Sequence, residues 1–176
     1  MIYKVVRYMN APVLEKPASL VTAFDTPDLH ALVADLFETM YASHGIGIAA
    51  PQVDLGQRIT VIDIAKADDD EDAAPEPIVL INPEIIKKEG KQTGEEGCLS
   101  IPGFREPVSR ARKVTVRAQN VKGEWFEIDG EGLLARAFQH EIDHLNGILF
   151  ISHLSGLKRD LIKRKIRKLI KAGEWE

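Results

Sequence analysis

The stretch Leu133-Leu134-Ala135-Arg136-Ala137-Phe138-Gln139-His140-Glu141-Ile142-Asp143-His144-Leu145 reads as one helix, stopped at Asn146-Gly147 where a left-handed cap is available. Leu133, Leu134, Ala137 and Phe138 call for a place in the core. The second half is polar. His140-Glu141-Ile142-Asp143-His144 fits the pattern H-E-x-x-H, and residues four apart on a helix share a face, so two imidazoles can grip one ion. Glu141 is turned away from that line by about 100°, which suits a base acting on a water at the ion better than a ligand. The bland alternative is a surface helix with solvent-facing His and Glu. Against it, two histidines and two carboxylates on a core helix must be paired or metal-bound to offset their desolvation.

A catalytic ion commonly has three protein ligands and one open position. In the longer pattern H-E-x-x-H-x-x-G-x-x-H, Gly147 fits but the last position is Phe150, which cannot ligate. Glu174, Glu176 and Asp160 are poorly placed as carboxylate ligands. Cys98 is the strong remaining candidate, a lone thiolate in a glycine-rich loop that suits zinc or ferrous iron. As the only cysteine it forms no internal disulfide, in keeping with a reducing compartment.

Working outward, Thr26-Pro27-Asp28 is a helix start, and Leu29, Leu32, Val33, Leu36, Phe37 and Met40 form an apolar stripe ending near Gly45 and Gly47. Residues 59–64, 78–81 and 113–118 read as strands, and 124–128 as the return of a hairpin after Asn120-Val121-Lys122-Gly123. Residues 67–77, with the acidic run 68–72, read as a solvated loop. A last amphipathic helix, about 155–172, has an apolar stripe of Leu154, Leu157, Leu161, Ile162, Ile166, Leu169 and Ile170. Eight Lys or Arg lie between Lys158 and Lys171. The order helix, strands, helix, helix predicts an α+β fold with mainly antiparallel sheets around the central histidine helix.

The 176 residues suit a single domain over 1–176, and 44% hydrophobic with 28% charged residues is a soluble composition. No apolar run is long enough to span a membrane, and residues 1–7 do not resemble a secretion signal, so a cytoplasmic protein is expected. Gly45-Ile46-Gly47-Ile48-Ala49-Ala50 fits a dinucleotide fingerprint, but it follows a helix and runs into Pro51, the wrong context for phosphate binding. Two glycines there allow a close backbone approach instead.

Three segments together, Gly45-Ile46-Gly47-Ile48-Ala49-Ala50-Pro51-Gln52, Glu95-Glu96-Gly97-Cys98-Leu99-Ser100-Ile101-Pro102 and Gln139 to Leu145, resemble the signature motifs of peptide deformylases, in the family's order. The resemblance covers nearly the whole chain, including Pro12-Val13-Leu14 and the basic C-terminal helix. It implies removal of the N-formyl group from the initiator methionine of nascent polypeptides, with release of formate. Cys98, His140 and His144 would hold one divalent ion, ferrous iron first, with zinc or nickel as alternatives. Glu141 would be the general base, and Gln52 and the Leu99 N–H the donors to the oxyanion.

Gly45, Ile46, Gly47 and Gly97 would bind the peptide backbone and Arg105 border the entrance, although a plain surface ion pair explains Arg105 equally well. Leu133, Ala137 and the stem of Arg136 would form the methionine pocket. The resemblance further implies a monomer, without DNA or membrane partners, whose basic C-terminal helix docks beside the ribosomal tunnel exit. A solvated face balancing the acidic loop is the simpler reading of that helix. The acidic run at 68–72 and Gly103-Phe104 depart from the family pattern. Two other readings share the histidine helix: a metallopeptidase cutting internal peptide bonds, and an inactive ribosome-binding module.

Overall fold

The computed structural model describes residues 1–65, 67 and 72–176. Most of the acidic run, 68–71, lies outside the described residues, and its expected solvated loop with it. Helix α1 (Pro27–Ala42) begins as its sequence dictates: Thr26 caps it by accepting from the Leu29 N–H at 3.1 Å, and Pro27 fills the first turn. It stops at Ala42, ahead of the glycines expected to end it. The reversal falls on His44, at φ 56°, and the Gly45 N–H bonds back to the Met40 carbonyl.

Strands β1 (Gly47–Ala49), β2 (Ile59–Ile62), β3 (Ile78–Glu89), β6 (Lys113–Gln119) and β7 (Trp125–Glu131) form an antiparallel sheet in the order β1-β2-β3-β6-β7. A separate hairpin pairs β4 (Gln92–Cys98) with β5 (Ile101–Arg110). Helix α2 spans Leu133–Leu145 and α3 spans Gly156–Lys171. The α+β architecture with antiparallel sheets is therefore as expected.

Several strand and loop expectations need correction. The 59–64 strand ends at Ile62. The 78–81 strand continues to Glu89 through a register shift at Asn82, which sits at φ 50°. The 124–128 strand runs over 125–131, with Gln119 opposite Trp125. Cys98 is not in a loop: it ends β4, opposite Ile101, and only Leu99 and Ser100 separate the strands. Gly94, Gly97, Pro102, Gly103 and Pro107 had broken the alternation by which this hairpin would be recognised.

Strand alternation decides which helix each face of the sheet meets. Ile59 and Val61 join Leu29, Val33, Leu36 and Met40 of α1 in one core, while Ile62 and Leu80 join Ala135, Phe138 and Ile142 of α2 in another. Burial on both faces explains why all four positions of β2 are apolar or satisfied. A third core gathers Ile101 and Val108 of β5, Leu149 to Ile151, and Ile162 and Ile166 of α3. The α3 stripe is narrower than expected: Leu157, Leu161 and Ile170 are exposed. Among the described residues, no helix is long and apolar enough to cross a membrane.

Gly147 closes α2 at φ 76°, and a Cβ there would meet backbone atoms of Glu15 and Lys16 at 2.8–2.9 Å. Gly173 has a similar φ of 70° in open space. Gly147→Ala should therefore cost about 1–3 kcal/mol more than Gly173→Ala, a difference readable in urea unfolding midpoints. Equal losses would mean that the crossing at Glu15 has no part in stability.

Candidate metal centre

Helical spacing brings His140 and His144 to one side of α2, and the tip of the β4–β5 hairpin brings Cys98 to meet them. The ligand atoms of Cys98, His140 and His144 lie within 4.8 Å of one another, a group able to hold one metal ion. The Cys98 Sγ is 3.3 Å from His144 Nε2. His140 Nδ1 donates to Glu96 Oε1 at 2.8 Å, which leaves its Nε2 lone pair for an ion.

Protonation fits such an occupant. Burial opposes a charge on His140, but its hydrogen bonds with Cys98 and Glu96 and the charge of Glu141 prevail, raising it to about 10. His144 is driven well below its usual value by burial and the charges of His140 and Arg110, so it is neutral and offers a lone pair. Without an ion, the positive charge that this cluster calls for rests on His140. A soft thiolate with two imidazoles matches zinc or iron rather than magnesium or calcium.

Glu141 lies beside the cluster, its Oε1 3.9 Å from His140 Nε2 and its Oε2 3.4 Å from the Thr60 hydroxyl. Burial lifts its carboxyl to about 7, against the opposing charge of His140, in the range useful for proton transfer near neutrality. Gly47 makes room for it, since a Cβ at that position would sit 3.0 Å from the Glu141 carboxylate. Gln52 is buried with its Oε1 accepting from the Ala49 N–H at 3.0 Å, so its Nε2 is turned toward Cys98 Sγ, 3.5 Å away, and Ser100 Oγ, 3.4 Å away. Arg7 donates to the Leu99 carbonyl at 3.0 Å, fixing the hairpin tip.

A cleft of about 760 Å³ opens over these groups. Gly45, Ile46, Gly47, Gly97, Arg105, Leu133 and Ala137 all line it, with Gln52, Cys98, Leu99, His140 and Glu141, while His144 is buried behind. Ala67 lines it too. Arg105 is exposed at the rim, 3.7 Å from Glu95, a weak surface pair. Arg136 lines the cleft, but its guanidinium turns away to Glu96 and the Val108 carbonyl.

Sequence reasoning passed over the buried ionic network beneath the ligands. Glu96 accepts from both Nε and Nη2 of Arg110, at 2.9 and 2.8 Å, as well as from Arg136 and His140. Arg110 also reaches Asp143 at 2.6 Å, and His153 lies 2.8 Å from the same carboxylate oxygen. Held by these partners, Glu96 stays far below the usual carboxylate range despite its burial. The signal was present in Asp143, a carboxylate on a core helix that needed a partner, but nothing local pointed to Arg110.

The family model described as polypeptide deformylase matches residues 2–160. A curated peptide deformylase of Acidobacterium capsulatum is 59% identical over 175 residues, covering 99% of each chain. The crystal structure of a peptide deformylase from Legionella pneumophila superposes with a TM-score of 0.87 at 45% identity, over 100% of this chain and 99% of that one. A Met-Ala-Ser-bound peptide deformylase from Acinetobacter baumannii superposes with a TM-score of 0.81 at 35% identity, over 88% of this chain and 99% of that one.

Glu96→Gln removes the charge that orients His140 and balances two buried arginines. It should weaken zinc affinity about 10–100-fold and cost about 3–5 kcal/mol of stability, measured by competition with a chelating dye and by urea unfolding. Unchanged affinity would show that His140 needs no such support.

Proposed function

The chain belongs to the polypeptide deformylase family and is a metal-dependent hydrolase that removes the N-formyl group from the initiator methionine of nascent polypeptides, releasing formate; we propose that Cys98, His140, His144, Glu141, Gln52 and Leu99 carry that reaction. The observation that supports this most is the convergence of a Cys-His-His group with a buried carboxylate raised to about 7 at the floor of one cleft.

Cys98, His140 and His144 would hold the ion, which would supply Lewis acidity to lower the pKa of water toward neutrality and to polarise the formyl carbonyl. The rest falls to the chain. Glu141 takes the proton of the attacking water through its carboxylate and then hands one to the departing amine as the C–N bond breaks. The Gln52 Nε2–H and the Leu99 N–H donate to the formyl oxygen as it turns anionic, Gln52 held for this by its bond from Ala49. Gly45, Ile46, Gly47 and Gly97 give the peptide backbone a close approach along the cleft edge, with Leu133 and Ala137 beside the methionine side chain and Arg105 at the entrance. We infer ferrous iron as the ion in the cell, with zinc or nickel able to replace it, in a cytoplasmic monomer whose 176 residues work as one domain.

Formate release from a formyl-methionyl peptide by anaerobically purified protein, with metal analysis of the same sample, tests this reading. Glu141→Gln should keep the metal and lose about 10²–10⁴-fold in kcat, and with it the fall in activity on acidification that a protonating base produces. Loss of metal in that variant, or a wild type that cleaves unblocked peptides and leaves formyl-peptides intact, would sink the assignment.

The basic α3 supports docking to ribosomal RNA near the tunnel exit. Helical spacing places the exposed Leu157 and Leu161 on the side that carries Arg164, Lys165 and Lys168. Lys165→Glu with Lys168→Glu should leave turnover of a short formyl-peptide intact and weaken salt-sensitive ribosome sedimentation about tenfold or more. Undiminished sedimentation would leave α3 as a solvated face.

A further inference from the structure

We propose that Trp175, beyond the end of α3, is a positioning residue for substrate: its indole braces Phe104 from behind and so fixes one wall of the peptide cleft. The inference rests on the deformylase reading of that cleft. Among the described residues, Phe104 is the only Phe, Tyr or Trp lining it. Phe104 packs against the third core, but the residues before it in the strand do little to hold the ring. Pro102 is exposed, and Gly103 sits at φ 86° with no atom within 4 Å of where a Cβ would be. Support comes from the other side, where the Phe104 and Trp175 rings meet edge to face with centroids 6.2 Å apart and planes at 67°.

Trp175 is itself firmly seated. Gly173, at φ 70°, turns the chain back after α3, and the Glu174 N–H bonds to the Leu169 carbonyl at 2.9 Å. The Trp175 indole Nε1–H donates to the Tyr8 carbonyl at 2.7 Å, and its own carbonyl accepts from Asn10 Nδ2 at 2.9 Å. Only 3% of it is exposed, in the core that also holds Ile162, Ile166 and Ile101. Two hydrogen bonds and a packed ring tie this segment down. What they achieve is a rigid edge against Phe104. Its hydrogen bonds and ring contact run to Tyr8, Asn10 and Phe104, so its influence belongs to binding rather than to the chemical step.

The test is a double-mutant cycle on formyl-methionyl tripeptides, with metal content and melting temperature recorded for each protein. Trp175→Ala should raise KM about two- to tenfold with kcat and metal content kept, and Phe104→Ala should raise KM as well. Because Trp175 acts through Phe104, the double variant should be no worse than Phe104→Ala alone. Trp175→Phe, which loses the bond to Tyr8 but keeps an aromatic edge, should restore most of the KM. Additive effects, or a Trp175→Ala enzyme that loses kcat or metal at unchanged KM, would overturn the proposal. If Trp175→Ala does not fold, Trp175→Leu fills the same core without an aromatic edge, and an unchanged KM in that variant refutes it. A wild type that releases no formate would instead defeat the underlying reading.

Discussion

The carboxylate of Glu96 is the point at which hairpin, central helix and ligands are joined. Its two oxygens accept four hydrogen bonds, two from Arg110, one from Arg136 and one from His140, and a carboxylate has about four lone-pair sites to give. Arg110 lies on the partner strand of the hairpin, while Arg136 and His140 lie one turn apart on α2. A single buried anion thus fixes the distance between β4, which ends in Cys98, and α2, which carries the two histidines. Burying so many charges is worthwhile only when each is matched, and here Glu96 and Asp143 face Arg110 and Arg136. The same network that is costly to bury also admits no slack.

That rigidity matters because the site belongs to no single core. Cys98 packs against the core that involves α3, Leu99 against the core of α1, and Ala137 lies in the core between α2 and the sheet. Three separately packed units must therefore meet at one site. Glycines make the approach feasible. A Cβ at Gly45 would stand 3.1 Å from Leu99, at Gly47 3.0 Å from Glu141, and at Gly94 3.2 Å from Arg136. None of the three needs a left-handed backbone, so each marks a place where another element comes close rather than a turn.

What was legible in the sequence follows from the range of the interactions involved. Helix α2, its cap at Gly147 and the spacing of His140 and His144 depend on residues a few positions apart, and all could be read directly. The β4–β5 hairpin could not. Its strands carry glycines and prolines, two of the glycines making room for Arg136 and Arg105, and these residues erase the alternation that announces a strand. Likewise the extra length of the α3 stripe was an overreading. Leu154, Ile162 and Ile166 are buried and Leu169 packs against them, whereas Leu157, Leu161 and Ile170 are exposed. The role of Glu96 was invisible for a different reason: its partners are 14, 40 and 44 residues away, and nothing in the sequence around Glu95-Glu96 says which of the two turns inward.

Electrostatics ties the ligand set to the base more closely than either motif suggests alone. Hydrogen bonds with Cys98 and Glu96 and the charge of Glu141 raise His140 to about 10, while burial raises Glu141 to about 7. Taking up a divalent cation means giving up the proton on His140, so metal binding is a proton exchange as much as a coordination. A cation held by Cys98, His140 and His144 would carry a larger charge than the imidazolium and would favour the ionised form of a carboxylate beside it. Burial alone would have left Glu141 partly protonated at neutral pH. Burial and such a cation together would suit Glu141 to the proposed role of a base, ionised before the reaction yet strong enough to take a proton from water. The position of Glu141, one residue after a ligand and against the gap left by Gly47, is what exposes it to both influences at once.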